Sequence, residues 1–379
     1  MRRVYADHNA TTPLGASARA AMQESLNGGF GNPSSVHQEG RRARDLVEAA
    51  RRQVAELLGA EPFTAYFTSG GTEADALGVC GLALAARANG QPAVAAAPKT
   101  EHPAVAGALA RLRGEGFDIV DLPVDGAGRV ELGAIERVAR EGVAVVAVAA
   151  ANHELGSVND VAAVSDICRQ HGGLVHCDAV QAAGKLPIDV ARLGADAVAV
   201  SAHKFYGPKG AGALWVRPGI DLEPLLPGGH QEREMRPGTE NVLGIVGMGA
   251  AAADAADLAL GASPDVRDRF ERGLEAIADV VIQGAEGARV FNTSNVRFAG
   301  ALGEVVVAGL DIAGVAVSTG AACTSGSVEP SPVLLAAGVE REHAVEAVRF
   351  SFGADTSADD VDFILEALPA IVARAREFR

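Results

Sequence analysis

Between Thr64 and Val216 the hydrophobic period of this chain keeps changing. Short apolar runs of β type alternate with stretches of helical spacing, and that alternation limits the fold more than anything else in the sequence. The runs are Thr64–Thr68, Ala93–Ala97, Asp118–Leu122, Val143–Ala149, Leu174–Cys177, Ala197–Val200 and Ala213–Val216. Helices are expected near Leu132–Arg140 and Val161–Gln170, and another begins near Pro103, a favoured first helical position. Alternation on this scale implies an α/β fold, a mainly parallel sheet with helices on both faces. No G-x-G-x-x-G follows the first strand, so a dinucleotide-binding fold is not indicated.

The N-terminal part reads as a short strand (Val4–Ala6), a polar stretch (Asp7–Pro13) and a helix (Ser17–Leu26). A Gly/Asn/Pro/Ser loop (Gly28–Ser35) then leads to a charged amphipathic helix reaching Leu58. Past Val216, the Gly/Pro-rich segment Pro224–Gly238 breaks the pattern and ends the large sheet. A helical bridge from Ile245 to about Ala262 leads to a second unit. That unit has a helix (Val266–Ile282), strands (Val290–Phe298, Val315–Ser318, Ala347–Phe352) and a final helix. The final helix spaces Val361, Ile364, Leu365, Leu368, Ile371 and Val372 on one face.

A net charge of −15 argues against nucleic acid as a partner, because phosphate backbones are bound by excess positive charge. The basic run Arg41–Arg52 is balanced by Asp45 and Glu48 and reads as a solvated helix face. No stretch reaches membrane-spanning length without polar interruption, and no signal-like segment opens the chain. Four scattered cysteines give neither a disulfide framework nor a zinc spacing, so no metal site is expected. The expectation is a soluble, cytoplasmic protein with no membrane partner.

The chain has only four lysines: Lys99, Lys185, Lys204 and Lys209. Lys204 follows Ser201 and His203 just past a buried strand, where ligands bind in parallel α/β sheets. A lysine there can be desolvated, lose its proton easily and form a Schiff base. Ser69-Gly70-Gly71-Thr72 lies between a strand and a helix. There the glycines allow close approach and the first helical N–H groups lack partners, so a phosphate fits, with Thr72, Ser201 and His203 as further donors. Asp178 ends a buried strand and needs something cationic, which a protonated pyridine nitrogen would supply. Gln181 could reach a ring substituent, and His102, at another strand-to-helix junction, could stack on the ring and exchange protons. Taken singly, these residues are as readily structural. Their order is the parts list for pyridoxal phosphate: phosphate anchor, ring stacker, pyridinium partner and Schiff-base lysine.

Cys80, Cys168 and Cys177 lie in apolar runs and read as packing, whereas Cys323 lies among small and polar residues, Ser318–Ser327. Such a loop suits a thiol that must travel, although a free thiol in a flexible loop fits the residues equally. Arg349, between apolar residues of a strand, needs an anion. A substrate carboxylate and a structural ion pair both satisfy that need.

These motifs, in this order, resemble the cysteine desulfurases of the class V aminotransferase family, on the branch with a long active-site loop. The likeness covers nearly the whole chain: DHNATTP (Asp7–Pro13), GNPSSVH (Gly31–His37), FTSGGTE (Phe67–Glu73), TEHPAV (Thr100–Val105), HCDAVQ (His176–Gln181), SAHKFYGPKGAGAL (Ser201–Leu214), RPGTEN (Arg236–Asn241), STGAACTSGSVEPS (Ser318–Ser331) and VRFSFG (Val348–Gly353). The resemblance implies the aspartate-aminotransferase-like fold, fold type I. A large cofactor domain would span 15–255. A smaller α+β domain, 1–14 plus 256–379, would carry the loop of about 317–331. It further implies that Lys204 carries pyridoxal 5′-phosphate, Asp178 pairs the ring nitrogen and His102 stacks on the ring. Gly71, Thr72, Ser201 and His203 would bind the phosphate, and Asn9 and Arg349 would bind the substrate L-cysteine. Cys323 would take its sulfur as a persulfide and leave L-alanine, and an acceptor protein, such as an iron–sulfur scaffold, would receive that sulfur. Thr239 would reach the phosphate of the partner subunit, which implies a homodimer. A selenocysteine or cystathionine lyase or an aminotransferase on the same scaffold is the alternative. The Cys323 loop weighs against it. Two positions depart from the family. His153 stands where an Asn commonly touches the ring hydroxyl, and Ala76 stands where Asn is common.

Overall fold

The computed structural model describes residues 2–28, 30–261, 265–319 and 329–378. Among these, twelve strands are β1 (Val4–Tyr5), β2 (Ala65–Thr68), β3 (Val94–Pro98), β4 (Asp118–Leu122), β5 (Val145–Ala149), β6 (Leu174–Asp178), β7 (Ala197–Ser201), β8 (Gly212–Val216), β9 (Val280–Gln283), β10 (Thr293–Phe298), β11 (Val315–Ala316) and β12 (Ala347–Ser351). A seven-stranded sheet has the order β2-β8-β7-β6-β5-β3-β4, and all but β8 point one way. The exception has a simple cause. Only the short connection holding Lys204 separates β7 from β8. A parallel return needs a crossover of about a dozen residues or more, usually through a helix. The strand order also reverses once. From β3 the chain steps outward to β4, then resumes on the other side of β3 at β5 and continues to β6 and β7. The carboxyl ends of β3, β5 and β6 therefore border a crevice, the usual ligand position in open α/β sheets.

Alternate residues of the central strands feed two apolar layers. Val146 and Val148 pack with helices Gln38–Leu57, Leu132–Glu141, Val161–Gln170 and Val242–Gly261 on one face. Val145 and Ala147 pack with helices Gly71–Ala88 and Pro103–Gly114 on the other. Burying each such Val or Leu contributes roughly 1.5–3 kcal/mol, so a sheet covered on both faces is strongly specified.

The C-terminal part has its own core, in which Phe270 packs on Phe350 at 4.5 Å between ring centres. The antiparallel β12-β10-β9 sheet is backed by helices Gly303–Ala313 and Ala358–Arg376. The N-terminus joins this unit: β1 pairs in parallel with β11, and Asp7 bridges to Ser351. That pairing carries residues 7–10 from the smaller sheet to the mouth of the crevice.

Most of the expected elements appear with ends shifted by one to three residues, and helix 161–170 matches at both ends. One expectation fails. The helix proposed for Val266–Ile282 stops at Gly273 and passes through a 3-10 turn, Leu274–Ala276, into strand β9. The β-branched run Val280-Val281-Ile282 pairs antiparallel with β10, and Asp279 turns the chain with φ 57°. Helix Gly303–Ala313 was not anticipated from the sequence. Among the described residues no helix is long and apolar enough to cross a membrane.

Candidate active site

The crevice contains a cavity of about 250 Å³, walled by the ends of β3, β5, β6 and β7 and the start of helix Gly71–Ala88. Gly71, Thr72, His102, His153, Asp178, Gln181, Ser201, His203 and Lys204 all line it. These are residues that the sequence pattern singled out, and the fold brings them to one place.

One end is built for an anion. No side chain caps the helix at Gly70, so its first N–H groups remain available. A Cβ on Gly71 would sit 3.0 Å from Val180 and 3.3 Å from Ser201, so glycine keeps the backbone open to the cavity. Ser201 is buried and its Oγ has no hydrogen-bond partner among the described residues. A buried hydroxyl without a partner is costly, and an oxyanion at this helix start would satisfy it. His203 also lines this end, with Nδ1 3.2 Å from Thr11 Oγ1. Burial and Lys204 push its ionisation down to about 4, so it is neutral.

The floor is acidic. Asp178 accepts from Val180 N at 2.9 Å. Burial first, then the neighbouring Asp75, raises its carboxyl to about 7. Asp75, on the same helix as Gly71 and one turn further on, is raised to about 8 by burial and lies 3.0 Å from His176 Nε2. His176 is in turn lowered to about 4, chiefly by burial, so the pair is a neutral acid against a neutral imidazole. Glu101 accepts from Ala149 N beneath the same site and is pushed well above the usual range by burial and then Asp178. Among the described residues none of Asp178, Asp75 and Glu101 has a Lys or Arg ion-pair partner. A cationic ring nitrogen at Asp178 would relieve that crowding.

This arrangement has a measurable cost. Asp178 holds its proton better in the fold than in the unfolded chain, where it ionises near 3.8. Its stabilising contribution is therefore complete below that value and is lost as pH rises through about 7, at about 1.4 kcal/mol per pH unit within the window. The melting temperature of the cofactor-free protein should fall between those pH values, and Asp178→Asn should flatten the fall. Equal slopes for the two proteins, measured by calorimetry, would contradict this account of the floor.

Lys204 projects from the β7–β8 connection, and its amine donates to Asn9 O at 2.5 Å and Ala10 O at 3.0 Å. Burial, then Arg349, lowers its ionisation to about 8, so it gives up its proton far more readily than an exposed lysine does. His102 caps the helix after β3. Its Nδ1 accepts from Ala104 N, which leaves the proton of the neutral ring on Nε2. His153 meets His102 edge-on at 5.4 Å and is pushed well below the usual range by burial, so a second neutral imidazole stands where the family commonly has an amide.

Other candidate residues sit outside the cavity wall. Asn9 is buried beside it. Arg349 is buried, with Nη2 2.7 Å from Asp7 Oδ1 and Nη1 donating to His153 O, so the structural ion pair is present. Its Nε has no hydrogen-bond partner among the described residues. Thr239 is exposed on the segment before helix Val242–Gly261 and does not line the cavity. Cys323 lies outside the described residues. Both flanks of its segment are anchored: Ser318 pairs through its backbone with Arg349, and Ser331 Oγ donates to Glu154 Oε2 at 2.6 Å, one residue after His153 of the cavity wall.

Sequence reasoning missed Asp75, His176 and Glu101, and it passed over Lys185. For Asp75 a signal existed: a carboxylate one helical turn past Gly71, where the helix turns from polar to apolar residues. The others become visible only through partners distant in the chain.

The comparisons agree with this geometry. The sequence profile of the class-V aminotransferases matches residues 4–364. The chain is 40% identical over 379 residues to a protein of Dictyoglomus turgidum named cysteine desulfurase IscS, covering 99% of this chain and 96% of that one. It is 45% identical to a cysteine desulfurase of Cereibacter sphaeroides, covering 99% and 97%. Among solved structures, a NifS-like protein superposes with a TM-score of 0.91 at 33% identity, covering 98% of this chain and 100% of that chain. SspA in complex with cysteine superposes at 0.81 and 29% identity, covering 93% and 99%. With this fold, this crevice and these relatives, the chain belongs to the class-V aminotransferase family, with its cysteine desulfurases.

Proposed function

We propose that this protein is a pyridoxal-phosphate-dependent cysteine desulfurase, converting L-cysteine to L-alanine and retaining the sulfur as a persulfide on Cys323. One observation carries the reading: a desolvated lysine, a partnerless buried serine at an uncapped helix start and a cation-hungry carboxyl share one cavity. The residues fit the cofactor. Gly71, Thr72, Ser201 and His203 would hold its phosphate, Asp178 its ring nitrogen, and Gln181 and His153 its polar ring edge, while His102 would stack on the ring and Lys204 would anchor it. Bound there, pyridoxal phosphate supplies an electron sink for the substrate's α-carbon.

The chain's own groups do the rest. Lys204, whose burial makes its proton easy to remove, takes and returns the proton at that carbon. His102 holds a proton on Nε2 at the cavity wall. Arg349 holds the carboxylate, with Asp7 fixing the guanidinium so that little freedom is lost on binding, whereas the Asn9 amide hydrogens already go to Thr293 and His153, so Asn9 braces this end of the site. The Cys323 thiol takes the substrate sulfur: a carbon–sulfur bond breaks, a sulfur–sulfur bond forms, and the thiol's hydrogen is conserved in the alanine. The domain of 15–255 holds the cofactor, and the unit of 1–14 with 256–379 brings the thiol. A homodimer completes the phosphate site through Thr239, and an acceptor protein discharges the persulfide. That SspA was solved in complex with cysteine supports the substrate.

The purified protein should release alanine from L-cysteine with one persulfide per active site and should not require a keto acid. Turnover that depends on a keto acid, with no persulfide, would make it an aminotransferase instead.

A further inference from the structure

Lys185 is the one lysine whose burial the mechanism leaves unexplained. Lys99 is exposed and pairs with Asp121 at 2.9 Å, and Lys209 is exposed. Lys185 is 7% exposed, and its Nζ donates to Gln181 Oε1 at 2.5 Å and to Asn9 Oδ1 at 2.9 Å. Among the described residues no carboxylate forms an ion pair with it. The charged groups that act on it are cations, Lys204 and Arg349, and His8 shares with it a chamber of about 20 Å³ that Lys204 also lines.

An ammonium has three N–H bonds and a full charge; a neutral amine has two N–H bonds and none. Two amide oxygens match the neutral amine bond for bond, whereas a buried unpaired charge costs several kcal/mol. Burial, with Lys204 and Arg349 adding to it, pushes the proton off in the same direction. The consequence reaches the site. With Gln181 Oε1 held by Lys185, the Gln181 amide nitrogen turns to Asn9 O at 2.9 Å. With Asn9 Oδ1 held, the Asn9 amide nitrogen turns to Thr293 Oγ1 at 2.9 Å and His153 O at 3.2 Å. Asn9 O is also the carbonyl that accepts from Lys204.

We propose that Lys185 is a neutral positioning residue: by orienting the Asn9 and Gln181 amides, it places the carbonyl that holds Lys204 and the amide that faces the cofactor ring. This rests on Lys204 being the cofactor-bearing amine.

The small number of lysines makes a direct test possible. In a Lys99→Arg, Lys209→Arg protein labelled with ¹³C-lysine, with Lys204 locked to the cofactor by borohydride, the remaining lysine signal is Lys185. It should have the shift of a neutral amine at about pH 7. A signal titrating near the ordinary 10.5 would overturn the neutral assignment. A second arm follows uptake of pyridoxal phosphate by the cofactor-free protein, by absorbance, against pH. Lys185→Met should slow linkage about tenfold or more and shift its pH midpoint, because the acceptor for Lys204 is misplaced. Lys185→Gln, which keeps a donor toward Asn9, should recover most of the rate. An unchanged rate and midpoint in Lys185→Met would end the positioning claim. Should Lys185→Met not fold, the labelled-lysine arm still decides. Loss of the underlying reading is distinguishable, because the borohydride-reducible linkage would then persist in Lys204→Ala.

Discussion

Lys204→Ala abolishes alanine formation, lowering kcat by at least about 10³-fold, and the purified protein no longer forms a borohydride-reducible linkage. The size of the effect follows from two roles held by one nitrogen: it anchors the cofactor and moves the α-proton. No neighbour can take over. Lys185 is held by two amides, and the other lysines are exposed or salt-bridged at the surface. The fold should survive, because the amine donates only to the Asn9 and Ala10 carbonyls and the turn is held by other bonds. Thr12 N and Thr12 Oγ1 both donate to His203 O, and Thr12 Oγ1 accepts from Tyr206 N at 2.8 Å. The melting temperature of the cofactor-free variant should therefore stay close to the parent's, and a small added amine should restore a little turnover. Full activity in Lys204→Ala would move the reactive amine elsewhere.

Cys323→Ser stops sulfur transfer while leaving the cofactor absorbance near its usual position. The chain length sets the reach. Ser318 is pinned to Arg349, and five residues of extended chain span at most ~17 Å, so Cys323 cannot stray further from that anchor. On the other side, Ser331 is tied to Glu154 and caps a helix at Val333 and Leu334. A hydroxyl in its place keeps the tether and loses the soft nucleophile. Alanine release without added thiol should fall to background, and an external thiol should restore part of it. Full alanine turnover in Cys323→Ser with no external thiol would show that another group takes the sulfur. The remaining cysteines are poor substitutes. Cys80 and Cys168 are buried, and burial raises their thiols to about 11 and about 12.

Much of the site was readable from local pattern. Gly71, His102 and Lys204 each follow a strand and Asp178 ends one, and parallel strands place those ends on one side of the sheet. Period alone is weaker where propensity and pairing disagree. Residues 280–282 continue an apolar helical spacing on paper, yet they pair as a strand because a partner sheet edge is present.

The sequence by itself determined the order of strands and helices of the large sheet, the glycine turn before helix Gly71–Ala88 and the placing of His102, Asp178 and Lys204 at strand ends. All of these depend on neighbours a few residues apart. Only the tertiary structure decided which of those ends meet, that Arg349 already has Asp7, and that Lys185 shares Asn9 with Lys204 and has no counter-ion among the described residues. The physical reason is burial. A side chain's proton affinity and hydrogen-bond choices depend on what surrounds it, and the partners here, such as Asn9 and Lys185, are 176 positions apart.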